Sequence, residues 1–314
     1  MILIITHESD TSTHKVVDWL FSQDKSFKIL NRENGFSLNK LILTNKKREL
    51  FPSFIISSFW FRQGGFIINT NKVYIPNELI SKEILSNQIR QEMESLSHFI
   101  QEKIISNCEN VIGNPKLSQN INKLEILEIA VKVGLNIPDT IITSSKEELV
   151  SFNKKHKKII SKPISEAVIL FEGKYNIMTY TSLINDVNNL PEYFFPTLFQ
   201  QAIDKKHELR VFYIKGLFFS CSIFSQSDRQ TKIDFRNYNL KRPNRYVPYQ
   251  LPKNIEKKIT SLMNKLNLNS GSIDILVDKK DRFFFLEVNP VGHFGMISKP
   301  CNYNIHKVIS EHLY

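Results

Sequence analysis

The amino-acid sequence predicts a mixed α+β protein built on antiparallel hairpins. From residue 194 to the C-terminus, short apolar runs of strand length dominate, and brief turns connect several of them. In the first half, apolar residues recur every three or four positions within charged segments, which predicts amphipathic helices. The chain lacks the regular alternation of strand and helix that is typical of a doubly wound parallel sheet.

The N-terminal segment opens with a strand and a helix. Ile2–Thr6 is a continuous apolar run that predicts a buried strand, and a helix is expected at about Thr13–Phe21. Further strands are predicted at Phe36–Leu43 and Ser53–Phe61. From about Asn77 to Ser106, apolar residues at helical spacing among charges predict one or two amphipathic helices.

The middle of the chain alternates between short strands and helices. A strand is predicted at Val111–Lys116, followed by a helix that begins near Leu117 and ends at a C-cap glycine, Gly134. The next strand, Ile137–Ile142, is entered through a proline. A helix at Lys146–Lys154 then leads into a strand at Lys158–Pro163.

Strands dominate the remainder, with one helix at Asn254–Leu266. The predicted strands are Phe194–Ile203, Glu208–Ile214, Leu217–Phe224, Ser272–Val277 and Arg282–Val288.

The composition excludes several classes of protein. The three cysteines, Cys108, Cys221 and Cys301, are too far apart for a CxxC site and argue against a disulfide framework. No apolar run reaches the length of about 18 residues that a membrane span needs, and a signal peptide is not evident, so we expect a cytoplasmic protein. Basic residues exceed acidic ones by 42 − 31 = +11. This excess indicates either a polyanionic or acidic partner or compositional drift, and its spread along the chain favours drift.

Two strands near the C-terminus carry the sharpest chemical signal. Asp274 lies in a strand of alternating apolar residues, and a turn at about 278–281 reverses the chain into a strand that carries Glu287 and Asn289. Residues two apart on a strand share a face, and a hairpin in suitable register would bring Asp274 opposite them. Two carboxylates and an amide oxygen suit Mg²⁺ shared with phosphate. The alternative is a solvated sheet face, against which the apolar neighbours argue.

Other polar residues near strand ends are candidates for binding a nucleotide. Lys123 lies early in a helix and Lys162 ends a strand, and lysine binds phosphate as a point charge. A lysine at a strand end is, however, more often a surface residue. Amides in the run 200–203 can meet an adenine edge, Glu208 can reach a ribose, and Arg210 can clamp a phosphate. The alternative is a Gln-rich edge strand with a routine ion pair.

The sequence shows no glycine-rich nucleotide-binding motif and only weak candidates for a general base or a nucleophile. Only 10 glycines occur, and they form neither a GxGxxG turn nor a P-loop. His293 can act as a general base, although a loop histidine more often packs locally. Cys301 shows no base partner in the sequence and is expected to be a small buried hydrophobic residue.

The order of these motifs resembles that of the ATP-grasp ligases over roughly residues 111–300. The series that carries the resemblance comprises Lys123, Lys162-Pro163, Gln200-Gln201-Ala202-Ile203, Glu208-Leu209-Arg210, Asp274 and Leu286-Glu287-Val288-Asn289-Pro290. Further motifs resemble the ATP-grasp enzymes that cyclise ribosomal peptides, the graspetide or microviridin-type maturases. These motifs are Ser58-Phe59-Trp60-Phe61-Arg62, Asp234-Phe235-Arg236 and Val291-Gly292-His293-Phe294-Gly295. The stretch 294–303 looks most like the grasp-with-spasm subgroup of that family.

The resemblance implies an ATP-grasp fold, in which two α+β subdomains grip ATP, preceded by an N-terminal α/β domain. The implied limits are 1–112 for the pre-ATP-grasp domain and 113–314 for the ATP-grasp domain. Within the latter, the central lid subdomain would span about 137–199 and the C-terminal catalytic subdomain about 200–314.

The resemblance also implies a role for each candidate residue. The phosphates would be held by Lys123 and Lys162, and adenine by Gln200, Gln201, Ala202 and Ile203, with Glu208 on the ribose side. Mg²⁺ would be bound by Asp274, Glu287 and Asn289. The charge of the reacting phosphates would be neutralised by Arg210 and Arg236. The chain departs from the family in two places. The stretch 163–171 has no glycine where the family often has a Gly-rich loop over the phosphates, and Gln201 stands where many relatives carry Glu.

The implied function is that of an ATP-dependent carboxylate ligase with ATP and Mg²⁺ as cofactors. It would phosphorylate Asp or Glu side chains of a ribosomally made precursor peptide, consisting of a leader and an acidic core. It would then join them to Ser, Thr or Lys side chains as macrocyclic ω-esters or ω-amides. The helices at 77–106 can dock the leader or simply pack in the core.

Two alternatives stay open at this point. One is an ATP-grasp ligase that adds an amino acid or acts on a small carboxylate, and the other is a non-catalytic ATP-grasp-like protein that binds a peptide or nucleic acid. No recognised motif supports a nucleic-acid partner, and no membrane partner is expected. The sequence leaves the oligomeric state open, a homo-oligomer included.

Overall fold

The computed structural model describes residues 1–35, 41–43, 48–49, 55–62, 82–119, 121–165, 169–172, 175–178, 181–237 and 239–314. The strands in these ranges are β1 (Ile2–Thr6), β2 (Phe27–Asn31), β3 (Ile42–Leu43), β4 (Arg48–Glu49), β5 (Ser58–Phe61), β6 (Asn110–Ile112), β7 (Thr140–Ser145), β8 (Ile159–Lys162), β9 (Ile169–Glu172), β10 (Tyr175–Met178), β11 (Ser182–Leu183), β12 (Tyr193–Gln201), β13 (Lys205–Ile214), β14 (Leu217–Phe224), β15 (Arg245–Tyr249), β16 (Ser270–Asp278) and β17 (Phe283–Asn289). The helices are α1 (Thr11–Ser22), α2 (Lys82–Ser106), α3 (Pro115–Gln119), α4 (Lys123–Lys132), α5 (Lys146–His156), α6 (Lys253–Lys265), α7 (Gly295–Ser298) and α8 (Ile305–Glu311).

The N-terminal part is a parallel sheet in the order β2-β1-β5-β6. Every residue of β1 and β5 is buried, as expected for parallel strands that are covered on both faces. Val16 and Leu20 of α1 pack on one face, whereas Ile100 and Ile104 of α2 pack on the other. The expected N-terminal α/β organisation is therefore present.

The middle of the chain forms a four-stranded sheet in the order β11-β8-β12-β7, with the described pairs antiparallel. Helix α5 begins where the Ser145 hydroxyl accepts from the backbone N–H of Glu148. Its residue Leu149 packs on Ile159 and Phe199 of the sheet. One face of this sheet is thus covered by α5.

The C-terminal part is a five-stranded antiparallel sheet in the order β15-β14-β13-β16-β17. On one face, residues such as Leu209 and Ile273 form a core with α4 and α6. The other face is divided, because Phe212 and Ile214 pack against the N-terminal sheet and α8. Glu208 and Arg210 alternate with Leu209 on β13 and lie farther along this second face, where a cavity opens.

A β-bulge at Leu286 interrupts the pairing of β16 with β17. Ile275 pairs with Phe285, whereas Asp274 pairs with Glu287, so that Leu286 is the extra residue. Bulges re-aim side chains and are frequent beside active sites. Here the bulge allows Phe285 to belong to the core while Glu287 lines the cavity.

The sequence predicted most of these elements, and the α+β class is confirmed. The strand expected at 111–116 is wrong beyond residue 112, because Pro115 begins the short helix α3. Gly134 follows the C-cap residue of α4 with a φ of +82°, as a C-cap glycine should. Residues 36–40, 53–54 and 77–81 of the predicted elements lie outside the described residues. Within the described residues, no helix is long and apolar enough to cross a membrane.

Candidate functional site

A cavity of about 750 Å³, including its open mouth, lies between the central sheet and the five-stranded sheet. Residues 232–236, which connect β14 to β15, supply a third wall. Nine of the twelve residues singled out from the sequence line it, namely Lys162, Gln200, Gln201, Ala202, Ile203, Glu208, Arg236, Asp274 and Glu287. The other three, Lys123, Arg210 and Asn289, contact or adjoin members of this set. The fold therefore gathers residues that lie up to 166 positions apart, 289 − 123, at one site.

The register that the sequence predicts for the hairpin of β16 and β17 is present. Asp274 pairs with Glu287, and Ser272 pairs with Asn289, so the three candidate metal ligands lie on neighbouring positions of the two strands. Within the described residues, no group of three or more His, Cys, Asp or Glu side chains is placed to hold a metal ion. The two carboxylates and the Asn289 amide are oxygen donors, and such a set fits Mg²⁺ when a bound phosphate supplies further oxygen atoms.

Asp274 forms a buried ion pair with Arg210, the residue opposite it on β13. Nη1 of Arg210 lies 2.7 Å from both carboxylate oxygens of Asp274. Burial raises the pKa of the Asp274 carboxyl above its ordinary value, and the charge of Arg210 opposes that rise. Each group is thus the principal partner of the other, which spacing along the sequence could not reveal.

Glu287 is approached by two cations from different elements. Nη1 of Arg236 lies 3.4 Å from one carboxylate oxygen, and Nζ of Lys123 lies 3.9 Å from the other. Arg236 is held by Asp234, with Nε–Oδ1 and Nη2–Oδ2 distances of 2.9 and 2.8 Å. Lys123 also donates to the carbonyl of Ser165 at 2.8 Å. Asp234 was missed as a site residue, although its spacing of two from Arg236 was the available signal.

On the side expected to bind the base, Gln200 is the buried residue. Its Nε2 donates to Thr140 Oγ1 at 2.9 Å, and that hydroxyl donates to the carbonyl of Pro138 at 2.8 Å. The amide is thereby held in one orientation. Its buried Oε1 has no hydrogen-bond partner in the described part of the chain. A buried acceptor of this kind normally has a donor, and an exocyclic amine of a base would satisfy it.

The residues after Gln200 contribute backbone rather than buried side chains. The N–H of Gln201 donates to the carbonyl of Asp139, and the N–H of Ala202 donates to that of Lys158. The Ile203 carbonyl accepts from the N–H of Lys205 at 2.8 Å. This run is therefore fixed to both flanking segments, and the predicted role of residues 200–203 in binding adenine stays a prediction.

Glu208 is engaged within the protein. One of its carboxylate oxygens accepts from Lys205 Nζ at 2.9 Å and from Ser225 Oγ at 2.8 Å. Lys205 also donates to the carbonyl of Ile233 at 3.2 Å, which connects the start of β13 to the wall at 232–236. Burial raises the pKa of the Glu208 carboxyl, against the influence of Lys205. The ribose-binding role of Glu208 stays a prediction, while its contacts indicate a part in fixing this wall.

His293 lies near the site with a neutral ring. Burial, with the nearby charges of Arg62 and Arg210, lowers the pKa of its imidazole to about 4. Its backbone carbonyl accepts from Ser272 Oγ at 3.2 Å.

Lys162 gives the stability of the protein a dependence on pH. Burial is the main cause and lowers the pKa of its ammonium group to about 8, with Glu287 opposing and Lys123 and Arg236 assisting. The pKa in the unfolded chain is near the ordinary value of about 10.4, so unfolding takes up a proton between these two pH values and stability rises with pH there. We expect the free energy of unfolding, measured by urea denaturation, to be higher at about pH 10 than at about pH 8.

The variant Lys162→Met should abolish this rise. It should also be more stable than the wild type at neutral pH, by up to about 3 kcal/mol, and should bind ADP more weakly. Lys158→Met, which removes an exposed lysine just before β8, is the matched control and should keep the wild-type pH profile. The same rise with pH in the Lys162→Met protein would contradict the assignment.

The chain is similar to one family of domains and to several solved structures. The sequence model of the RimK-like ATP-grasp domain matches residues 120–313. No curated protein sequence matches the chain. A RiPP-associated ATP-grasp ligase from Chryseobacterium gregarium, solved with ADP and a leader and core peptide, is 26% identical, with a TM-score of 0.79 over 99% of this chain and 96% of that one.

Two further solved structures share the fold over almost the whole chain. The macrocyclase MdnC from Microcystis aeruginosa MRC, bound to the precursor peptide MdnA, is 25% identical, with a TM-score of 0.74 over 100% of this chain and 99% of that one. The ATP-grasp ligase PsnB, complexed with a minimal precursor, Mg and ADP, is 14% identical, with a TM-score of 0.72 over 99% and 96% of the two chains.

Proposed function

Because this chain belongs to the RimK-like ATP-grasp family, it is an ATP-dependent ligase, and we propose that its substrate is a ribosomally made precursor peptide whose side chains it joins to one another. The ATP-grasp fold and the resemblance to peptide-modifying ATP-grasp ligases are confirmed. The narrower likeness to the grasp-with-spasm subgroup and the domain limits at 112/113, 137–199 and 200–314 stay predictions.

The observation that carries the proposal is the excess of positive charge around one carboxylate in the cavity. Lys123 and Arg236 approach Glu287 directly, and the charge of Glu287 also acts on the buried ammonium of Lys162. Arg236 is also paired with Asp234, so that three cations face two carboxylates and one positive charge is left without a counter-charge in this set. A polyphosphate would supply the missing negative charge, which is the property that a site for ATP needs.

The acidic hairpin would hold Mg²⁺ beside those phosphates. Asp274, Glu287 and Asn289 are the residues that would ligate it, and the bound ion would supply neutralisation of the charge that develops during phosphoryl transfer. The base would lie against Gln200, whose buried Oε1 would accept a hydrogen bond from its amino group.

The proposed reaction activates a peptide carboxylate, which by itself is a poor electrophile. The γ-phosphoryl group of ATP passes to a carboxylate oxygen of an Asp or Glu side chain, giving an acyl phosphate and ADP. A Ser or Thr hydroxyl, or a Lys amine, of the same peptide then attacks the acyl carbon. Phosphate leaves, the attacking group loses a proton, and an ω-ester or ω-amide remains.

Arg236 is the arginine that this chain has available for the reacting phosphates. Its side chain is 46% exposed, whereas Arg210 is 8% exposed and bound to Asp274. Preorganised cations act most strongly where they need no rearrangement during the reaction, and Asp234 fixes Arg236 in this way. We therefore assign the phosphates to Arg236, and to Arg210 the orientation of Asp274.

Cysteine chemistry on the enzyme is not required by this reaction, and the cysteines do not favour it. Cys221 and Cys301 are buried, and Cys108 is half-buried. Burial raises the pKa of the Cys108 thiol to about 11 and raises those of Cys221 and Cys301 as well. A thiolate is the nucleophilic form, so all three are poor nucleophiles at neutral pH.

A peptide substrate is supported by two similar solved structures, one in complex with a leader and core peptide and the other bound to a precursor peptide. The net charge of +11 also favours such a substrate. A peptide with several reacting carboxylates is acidic and would be attracted to a basic protein.

Intact-mass spectrometry tests the proposal directly. The enzyme is incubated with ATP, Mg²⁺ and a short acidic peptide encoded beside its gene, and the expected result is the loss of one water per bond formed. The same peptide with its Asp and Glu residues changed to Asn and Gln is the control and should keep its mass. ATP turnover without a change in peptide mass would favour a ligase for a small carboxylate, and neither turnover nor a mass change would favour a binding protein.

A further inference from the structure

We propose that Arg62, in the N-terminal sheet, is a positioning residue that fixes the side chain of Asn289 for metal binding. The inference rests on the proposed function, in which Asn289 is a ligand of Mg²⁺. Arg62 follows β5, and 227 residues separate it from Asn289 in the sequence, 289 − 62. The two side chains are connected through a single turn at residues 291–292.

Arg62 is itself held in one position. Its side chain is only 2% exposed, and its Nε donates to Asp10 Oδ2 at 2.9 Å. Asp10 is the N-cap of α1 and accepts from Ser12 N at 3.0 Å, from Thr13 Oγ1 at 2.8 Å and from Thr6 Oγ1 at 3.3 Å. A carboxylate with this many donors cannot follow a moving guanidinium. Arg62 therefore has a rigid base in the N-terminal sheet.

The other end of the guanidinium binds the turn that follows β17. Nη1 donates to the carbonyl of Val291 and, at 2.9 Å, to that of Gly292. The guanidinium carbon also lies 5.0 Å from the centre of the Phe294 ring, within range of a cation–π interaction. Two carbonyls and one ring thus fix residues 291–294 to Arg62.

The same turn determines where the Asn289 amide oxygen lies. Asn289 Oδ1 accepts from the N–H of Val291 at 3.0 Å and from that of Gly292 at 3.4 Å. The Val291 carbonyl and the Gly292 N–H belong to the same planar peptide group. Arg62 binds the carbonyl of this group, and Asn289 Oδ1 accepts from its N–H. Gly292 has a φ of +66°, and an added Cβ would lie 2.9 Å from Phe212 Cε2. The turn therefore requires glycine at this position and packs closely against Phe212.

This arrangement differs from a contact that merely joins the two parts of the chain. Such a contact exists at Asn269, whose Oδ1 accepts from Gly113 N at 3.0 Å and whose Nδ2 donates to the Val111 carbonyl at 2.7 Å. Asn269 also connects the N-terminal sheet to the five-stranded sheet, yet it does not touch the turn at 291–292. It provides the matched control for the role of Arg62.

The test measures Mn²⁺ as a substitute for Mg²⁺, in the presence of saturating ADP and without peptide. Free Mn²⁺ is followed by electron paramagnetic resonance, so the readout is binding and not activity. Removing Arg62 alone would leave Asp10 buried without a partner, so the variant is Asp10→Asn/Arg62→Met, in which Asn keeps the N-cap. We expect this variant to fold and to bind Mn²⁺ about 10-fold more weakly, with ADP affinity in the absence of metal unchanged.

Two further proteins separate positioning from general destabilisation. Asn269→Ala should bind Mn²⁺ with wild-type affinity. In an Asn289→Ala background, adding the Asp10→Asn/Arg62→Met changes should cause no further loss, because the two act on one ligand. Wild-type affinity in the Asp10→Asn/Arg62→Met protein, or an equal loss in Asn269→Ala, would overturn the inference alone. A wild-type protein that binds no Mn²⁺ with ADP would overturn the proposed function as well.

Discussion

The variant Glu287→Gln is expected to lose at least about 100-fold in the rate of ATP-dependent ligation while remaining folded. Gln keeps the shape of the side chain and removes the charge that would bind Mg²⁺. A metal ion contributes several kcal/mol to a transition state of phosphoryl transfer. The Glu287 side chain is 22% exposed and contacts two cations at 3.4 and 3.9 Å, so we expect the loss of its charge to lower stability without preventing folding.

Glu256→Gln is the matched control for this variant. Glu256 lies on α6 with a side chain 17% exposed and pairs with Lys253 at 2.7 Å, outside the cavity. It should keep full ligase activity, measured as peptide mass loss and ADP release. Ligation by the Glu287→Gln protein at the wild-type rate would remove Glu287 from the metal site.

The second large effect concerns the free energy of unfolding and the buried ion pair between Arg210 and Asp274. Arg210→Met should lower the free energy of unfolding by about 3–5 kcal/mol, since it leaves Asp274 charged and buried without a partner. The double variant Arg210→Met/Asp274→Leu removes both charges and should regain most of that loss, while lacking ligase activity. Urea denaturation at neutral pH measures both changes, and Mg²⁺-dependent ADP release measures activity.

A second arginine–aspartate pair on the same sheet gives the control. Arg282 lies 2.7 Å from Asp278, at the end of β16, but its side chain is 59% exposed. The Asp278 side chain is 8% exposed, but it also accepts from the backbone N–H groups of Lys280 and Arg282 and keeps these partners in Arg282→Met. The substitution removes only a solvent-exposed guanidinium and should therefore cost about 1 kcal/mol or less. If Arg210→Met and Arg282→Met lowered the free energy of unfolding equally, burial would not be the reason for the cost at Asp274.

The sequence was informative where structure is decided locally. The strand predicted at Leu217–Phe224 has the observed bounds, because it is a short, mostly apolar run that is flanked by turn residues. The strand β2 was missed, since its residues are half-buried and its partner β1 lies a whole helix earlier. The strand β15 was missed because Pro248 argues against a strand, although a proline is tolerated there on the edge of a sheet.

The candidate site shows the same division. The hairpin that carries Asp274 and Glu287 was found because its two strands are adjacent in the sequence and its residues alternate. Thr140, which orients Gln200 from 60 positions away, and Arg62, which binds a turn 229 positions away, carry no local signal. Only the packing of separate sheets places them at the site. Spacing along the chain therefore identifies candidate substrate-binding residues better than it identifies the residues that orient them.

The extra residue in β17 has a consequence for the comparison of related sequences. Before Leu286 the odd-numbered residues Phe283 and Phe285 pack with the core, whereas after it the odd-numbered Glu287 belongs to the cavity and the even-numbered Val288 to the core. An alignment that scores strict alternation along this strand would therefore shift one half by a position. It would equate the proposed magnesium ligands of one protein with core residues of another, and a functional enzyme would be mistaken for an inactive relative. Homologues should be aligned on Glu287 and Asn289 themselves, with the gap allowed at Leu286.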